Sequence, residues 1–113
     1  MSDFVELRAG GARFVVPASR VEAVGTTSEL AVEPRSLAAL LGLPDVPAGR
    51  ALRAGEHTFL TDAVVALVQL EDDRLLPLPE WLRRHVPHFC ALALLPDGTA
   101  LALDLDRLTE GRT

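Results

Sequence analysis

Residues 90–108, CALALLPDGTALALDLDRL, predict two β-strands that fold back on each other. Leucine alternates with small or acidic residues on both sides of the Pro-Asp-Gly turn at 96–98, and this period of two is typical of a half-buried strand. The glycine of the turn supplies the backbone freedom that a tight hairpin connection needs. A lone hairpin is only marginally stable in water, so its leucine face must pack on other strands. The stretch therefore predicts a β-protein in which the second strand continues through Asp104 and Asp106.

Composition and charge restrict the class of protein. The chain has 113 residues, of which 49% are hydrophobic, as in a single globular domain with its own core. Eleven basic residues, all arginine, face sixteen acidic ones, and the net charge of -5 argues against binding to nucleic acid. No apolar run is long enough to span a membrane, and the first residues do not resemble a secretory signal. A single cysteine, Cys90, excludes an internal disulfide and favours a cytoplasmic location.

Two parts of the chain follow the same order of features. Residues 4–16 and residues 50–60 each predict a hairpin with a glycine-containing turn, and a segment containing valines follows each of them. Residues 44–49 contain two prolines and a glycine, which is typical of a linker. The sequence therefore predicts two related halves in one domain, 1–113. The expected bounds are about 4–43 for the first subdomain, about 44–49 for the linker and about 50–108 for the second subdomain.

Catalytic and metal sites have only weak candidates. His85, His88 and Cys90 are three potential metal ligands within six residues, but tetrahedral sites usually take ligands from separate elements. The strand alternation favours Cys90 as a small buried residue instead. Asp104 and Asp106 would serve as an acid and a base only in a shared pocket, and the pattern favours solvent-facing carboxylates. Because the common phosphate-loop, hydrolase and zinc-protease motifs are also missing from the sequence, we predict no enzyme, no cofactor and no metal site.

A set of short motifs, taken in order, resembles the CheW-like domain of bacterial chemosensory adaptors. Each motif is weakly specific alone, but the ordered set covers nearly the whole chain. After the opening hairpin, the matching segments are Val21-Glu22-Ala23-Val24 for a V-x-E-V-like motif, residues 36–42 (SLAALLG) for a D-L-x-x-L-L-G-like helix with serine in place of aspartate, residues 59–65 (FLTDAVV) for a G-x-x-V-D-x-V-like strand end, residues 77–79 (PLP) for the start of a short helix, and residues 103–108 (LDLDRL) for an L-D-L-D-x-L terminus.

The resemblance implies a fold, a function and a binding surface. The implied fold is all-β, with two small SH3-like barrels that share a core, together with short helices. The implied function is a non-enzymatic, cytoplasmic scaffold that binds the cytoplasmic tip of a chemoreceptor and, through another face, a histidine kinase of the CheA type. The implied receptor groove runs between the halves, and the residues that match its segments or lie beside them are Val21, Glu22, Val24, Val64, Val65 and Val68.

One departure from the family pattern bears on the kinase. Only residues 25–35 separate the V-x-E-V-like motif from the following helix, whereas the family has a longer stretch with an N-L-R-G-like motif and another apolar strand. The resemblance therefore implies a shortened first subdomain with weakened or lost kinase binding. In this respect the chain is similar to the short CheW-like accessory protein of Frz-type pathways in gliding bacteria. The alternatives are a full coupling protein that bridges receptor and kinase, and a module that associates with itself or with other CheW-like proteins.

Overall fold

The computed structural model describes residues 2–25, 34–44, 49–55 and 57–109. Residues 45–48 of the predicted linker and residues 26–33, where the sequence departs from the family, lie outside these ranges. In the described part of the chain, no helix is long and apolar enough to cross a membrane. The strands are β1 (Ser2–Ala9), β2 (Ala12–Pro17), β3 (Ala23–Gly25), β4 (Pro34–Ser36), β5 (Arg50–Ala54), β6 (His57–Thr61), β7 (Ala63–Leu70), β8 (Leu75–Pro77), β9 (Phe89–Leu95) and β10 (Gly98–Leu103), and the helices are α1 (Leu37–Leu40), α2 (Glu80–His85) and α3 (Leu105–Thr109), with single 3₁₀ turns at Ala18–Arg20 and Asp72–Arg74.

The strands form two sheets. The larger sheet has the order β7-β1-β2-β10-β9-β8, and the smaller has the order β3-β5-β6-β4. All pairs are antiparallel except β2 with β10 and β4 with β6. Strands from both sides of the predicted linker are present in each sheet, so the two halves of the sequence do not correspond to one sheet each.

The hairpin predicted from residues 90–108 is confirmed up to Leu103. Strands β9 and β10 pair antiparallel around the expected turn, and β10 also pairs with β2 in the centre of the larger sheet. Beyond Leu103 the prediction is wrong, because the chain turns into α3. The Asp104 Oδ1 atom accepts hydrogen bonds from the backbone N–H groups of Asp106 and Arg107, at 3.1 and 3.2 Å. An aspartate that caps a helix start in this way stabilises the helix over a continued strand.

Helix α1 is shorter than the motif at residues 36–42 predicts. It spans a single turn, and the Ser36 Oγ atom accepts a hydrogen bond from the Ala39 N–H at 3.2 Å. The serine that replaces the usual aspartate therefore still caps the helix. The turn buries Leu37 and Ala38 against the core between the sheets.

Two apolar cores support the fold. The first core lies between the sheets and includes Leu7 and Phe14 from the larger sheet and Leu52 and Phe59 from the smaller sheet, all almost completely buried. The second core involves only the larger sheet; its buried members are Phe4, Val15, Leu70, Ala93, Leu95, Ala100 and Ala102. Both faces of the larger sheet are therefore apolar, including the alanine face of the β9–β10 hairpin.

A charged network connects the two hairpins of the larger sheet. Glu6 of β1 is only 6% exposed, and its Oε2 atom accepts a hydrogen bond from Arg13 Nε at 3.1 Å. The Arg13 Nη2 atom also donates to Asp97 Oδ1 in the β9–β10 turn, at 2.8 Å. Burying a carboxylate costs free energy unless an opposite charge lies beside it, and Arg13 supplies that charge to Glu6.

Replacing Thr61 with valine is expected to stabilise the protein. Thr61 is 1% exposed, and its hydroxyl oxygen has no hydrogen-bond partner among the described residues. A buried hydroxyl without a partner costs free energy that the nearly isosteric valine side chain does not. We expect Thr61→Val to raise the free energy of unfolding by about 1 kcal/mol, measured by urea denaturation. An unchanged or lower free energy would contradict this. Thr58→Val, at another buried threonine of β6, serves as the comparison variant.

Candidate functional site

The residues that the sequence predicts to face a receptor lie on or beside edge strands of both sheets. Val24 belongs to β3, at one edge of the smaller sheet, and Val21 and Glu22 directly precede this strand. Val64, Val65 and Val68 belong to β7, at one edge of the larger sheet. The two groups therefore come from different sheets, and strand register shows which core each residue adjoins.

The β3 side of this surface adjoins the core between the sheets. Val24 pairs with Leu52, and residues directly opposite each other on neighbouring strands share a face. Leu52 belongs to the first core, yet Val24 is 45% exposed because it lies at the edge of the sheet. Val21 is half-buried and packs against the same core. Val24 thus provides an exposed extension of the core between the sheets.

Two residues of β7, Val64 and Leu67, adjoin the same core. Val64 pairs with Leu7, which is completely buried in the first core. The register of β1 and β7 shifts at this point, so Val65 is an extra, bulged residue, and its side chain is 48% exposed. Leu67 pairs with Val5, which packs against the first core, and Leu67 is 67% exposed. Sequence reasoning missed Leu67, the most exposed apolar side chain of β7.

Val68 lies on the other face of β7. It pairs with Phe4 and packs, half-buried, against the second core. Its predicted role in receptor binding stays a prediction, but its surroundings differ from those of Val64. The structure therefore brings Val21, Val24 and Val64 to the margin of one core and does not bring Val68 there.

Glu22 makes two contacts with the neighbouring strand β5. Its backbone N–H donates to the Arg53 carbonyl oxygen at 2.8 Å, and its Oε2 atom lies 3.4 Å from Arg53 Nε. Both side chains are about half exposed, so this ion pair contributes little to stability. The sequence left open whether Glu22 pairs with a receptor or with its own chain. In the free protein it pairs with its own chain, in a position that a partner can still reach.

The weaker candidates from the sequence lie elsewhere. Cys90 is exposed rather than buried as predicted, because it is the extra residue where the register of β9 and β10 shifts, and there its Sγ atom donates to the Ala102 carbonyl oxygen at 3.4 Å. Partial burial, and secondarily the Asp104 charge, raise the pKa of the Cys90 thiol, which disfavours a reactive thiolate. His85 contacts the Trp81 carbonyl oxygen through Nδ1, and burial lowers the pKa of His88. Within the described ranges, no three histidine, cysteine, aspartate or glutamate side chains are grouped to hold a metal ion.

A shallow cavity of about 300 Å³ lies beside α2 and α3. Its charged lining contains three arginines and two carboxylates, with Arg84 Nη2 at 2.8 Å from Glu80 Oε1 and Arg107 Nε at 3.9 Å from Asp104 Oδ2. Because two of the arginines are compensated, only the charge of Arg83 is left over among these lining residues, and the cavity offers no strong field for a charged ligand. The exposed apolar residues of the edge strands β3 and β7 are therefore the better candidate for function.

Comparison with known proteins identifies the class of fold. No protein-family model and no curated protein sequence matches the chain. Among solved structures, the crystal structure of the scaffolding protein TtCheW from Thermoanaerobacter tengcongensis matches with a TM-score of 0.74 and 13% sequence identity, over 96% of this chain and 92% of that one. The chain therefore has the all-β CheW fold that the sequence predicted, and at this identity the likeness concerns the fold alone.

Proposed function

We propose that the protein is a CheW-like chemosensory adaptor, a cytoplasmic scaffold without catalytic activity that binds the cytoplasmic tip of a chemoreceptor. The proposal is supported by the CheW fold, by the ordered sequence motifs, and by the fact that the solved structure it matches is that of a scaffolding protein. The observation that carries it is the exposure of apolar side chains on the edge strands. Val24 and Leu67 are exposed and lie opposite residues of the core between the sheets or packed against it, and Val65 is exposed at the bulge next to Val64.

The chemistry of this surface suits a helical partner. Val24 on β3 and Val65 and Leu67 on β7 offer exposed apolar contacts, and Glu22 offers a charge close to Val24 in the chain. An amphipathic helix buries its apolar stripe in such a surface, and a basic residue at its rim can compete with Arg53 for Glu22. A contact made by a few exposed apolar side chains is expected to be weak, and weak binding becomes effective where receptors and adaptors are held together in an array.

We also propose that kinase binding is weakened or lost, as in the short accessory proteins of Frz-type pathways in gliding bacteria. The support is the short interval between residues 25 and 35, where the family has an additional strand. The full coupling protein remains the competing proposal. Titrating the protein in parallel against a receptor tip and the regulatory domain of a CheA-type kinase distinguishes them, because only the full coupling protein binds both.

Substitutions at the surface test receptor binding. We expect Val65→Asp to weaken binding to the cognate receptor tip at least about tenfold, because a charge would be desolvated in an apolar contact. Leu76→Asp is the matched control, since Leu76 is also an exposed apolar residue, 41% exposed, but lies on β8 at the opposite edge of the larger sheet. Calorimetry on both variants checks the result, and equal affinities would contradict the assignment of the surface.

Charge reversal at Glu22 is a second test. Glu22→Arg is expected to reduce receptor pull-down and to leave the thermal midpoint within about 2 °C of the parent, because the exposed ion pair contributes little to stability. The double variant Glu22→Arg with Arg53→Glu restores the ion pair with its charges exchanged. If both variants retain normal receptor binding, Glu22 does not contact the receptor.

A further inference from the structure

The two sheets end in four edge strands that differ in how well they are protected. Within the described residues, β3, β4 and β8 span three residues each, and β4 and β8 contain a proline. Short edges, prolines and bulges are usual means by which proteins prevent pairing with other chains. Strand β7 is neither short nor interrupted by a proline, and its one bulge lies near its start, at Val65. It spans eight residues, AVVALVQL, without a charged residue or a proline.

The outer side of β7 is open. In the described part of the structure, β7 pairs only with β1, so the backbone groups on its other side face away from the sheet. The side chains of Val65, Ala66 and Leu67 are three consecutive exposed apolar residues on this edge. The bulge at Val65 interrupts the pleat locally and leaves Ala66–Leu70 as a regular segment. An edge with unpaired N–H and C=O groups and apolar side chains favours the addition of another strand.

We propose that β7 pairs antiparallel with β7 of a second copy of this chain. In the monomer water can satisfy the unpaired backbone groups, but an extended strand satisfies them in regular order along the edge, and the second copy offers one of equal length. The charge pattern selects β7 for this contact. A chain with a net charge of -5 repels its own copies, but a two-fold pairing centred within Ala66–Leu70 sets no like charges opposite each other along that segment.

The dimer is expected to be weak and to compete with receptor binding. Pairing five to eight residues buries well under the roughly 1,200 Å² of a stable interface, so we expect a dissociation constant on the order of 10⁻⁴ M. Val65 belongs both to this edge and to the proposed receptor surface, so the dimer would exclude the receptor. That exclusion rests on the proposed function, whereas the pairing of β7 does not.

Sedimentation equilibrium of the full chain tests the pairing without a receptor. We expect the weight-average mass to rise from 12.1 kDa toward twice that value between about 10 µM and 1 mM. Leu67→Lys should weaken the association at least about tenfold, because it adds a positive charge to the edge of each copy. Leu76→Lys, on the short edge strand β8, should leave the association unchanged.

A second measurement keeps the proposal testable if a variant folds poorly. Amide hydrogen exchange of the unmodified chain at low and high concentration should show added protection in β7 and none in β3 or β8. A constant mass of 12.1 kDa up to 1 mM would overturn the proposal. An association that Leu67→Lys and Leu76→Lys affect equally, or protection that appears outside β7, would also overturn it.

Discussion

Replacing Arg13 with methionine is expected to lower the midpoint of thermal unfolding by about 10 °C. The change removes the guanidinium that contacts the Glu6 carboxylate, while methionine keeps an apolar stem of similar length to that of arginine. Glu6 is buried, so its carboxylate would be left without a partner in a poorly solvated position. Scanning calorimetry at neutral pH measures the midpoint.

The double variant Glu6→Gln with Arg13→Met is the control for this prediction. It removes the buried charge together with its partner, and buried ion pairs are often replaced by neutral groups at little cost. We therefore expect the double variant to recover at least half of the loss. A double variant that is as unstable as Arg13→Met alone would mean that the loss does not come from an unpaired Glu6 carboxylate, and would contradict the prediction.

The contact between Arg13 and Asp97 gives stability a defined dependence on pH. The hydrogen bond from Arg13, and secondarily its charge, lower the pKa of the Asp97 carboxyl below its ordinary value of 3.8. A carboxyl whose pKa is lower in the folded state stabilises that state above the ordinary pKa, and the contribution is lost as the pH falls through the lowered pKa. Asp97 is largely exposed, so the effect should be small: the thermal midpoints of the parent and Asp97→Asn should differ slightly between about pH 5 and 8, and the difference should begin to shrink only below about pH 4. A constant difference down to pH 2 would contradict this.

Gly10→Ala is expected to destabilise the protein by about 2–4 kcal/mol, the second large effect. Gly10 has φ of 60° in the turn between β1 and β2, and a Cβ atom there would lie 2.6 Å from Leu43 Cβ and 3.1 Å from the Pro44 carbonyl oxygen. Alanine at this position would be strained by the positive φ and would also overlap with a residue that packs against the core between the sheets. Urea denaturation measures the change in the free energy of unfolding.

The neighbouring glycine separates the two causes of this loss. Gly11 has φ of 82°, and a Cβ atom there would meet nothing within 4 Å. Gly11→Ala should therefore show only the cost of the backbone conformation, about 1 kcal/mol. Equal losses in the two variants would show that the approach of Leu43 does not constrain the turn.

Local patterns predicted the elements better than they predicted how the elements combine. The alternation of leucine and alanine identified β9 and β10 because strand period and turn chemistry are local properties. Beyond Leu103 the same alternation wrongly predicted a continued strand. Asp104 can also cap a helix, and Leu105 and Leu108 are three residues apart, which is the spacing of one helix face. The pairing of β2 with β10 joins segments far apart in the chain, and no local pattern encodes it.

The candidate surface was predictable in composition but not in exposure. Valines that wall a groove and valines that fill a core look alike in a sequence, and only strand register separates Val64 from Val68. The partner of Glu22 was likewise open until the structure placed Arg53 beside it. The burial of Glu6 could not be predicted from the sequence, because the arginine that compensates its charge lies on the neighbouring strand.

The position of β10 has a consequence for how the protein is made. Among the strands of the described residues this one comes last in chain order, yet it lies between β2 and β9 in the middle of the larger sheet. During synthesis β1 and β2 emerge well before β10, so β2 waits for its neighbour in the sheet. Contacts between residues so distant in sequence slow folding, and β2 stays unpaired on that side until the β9–β10 hairpin has been made.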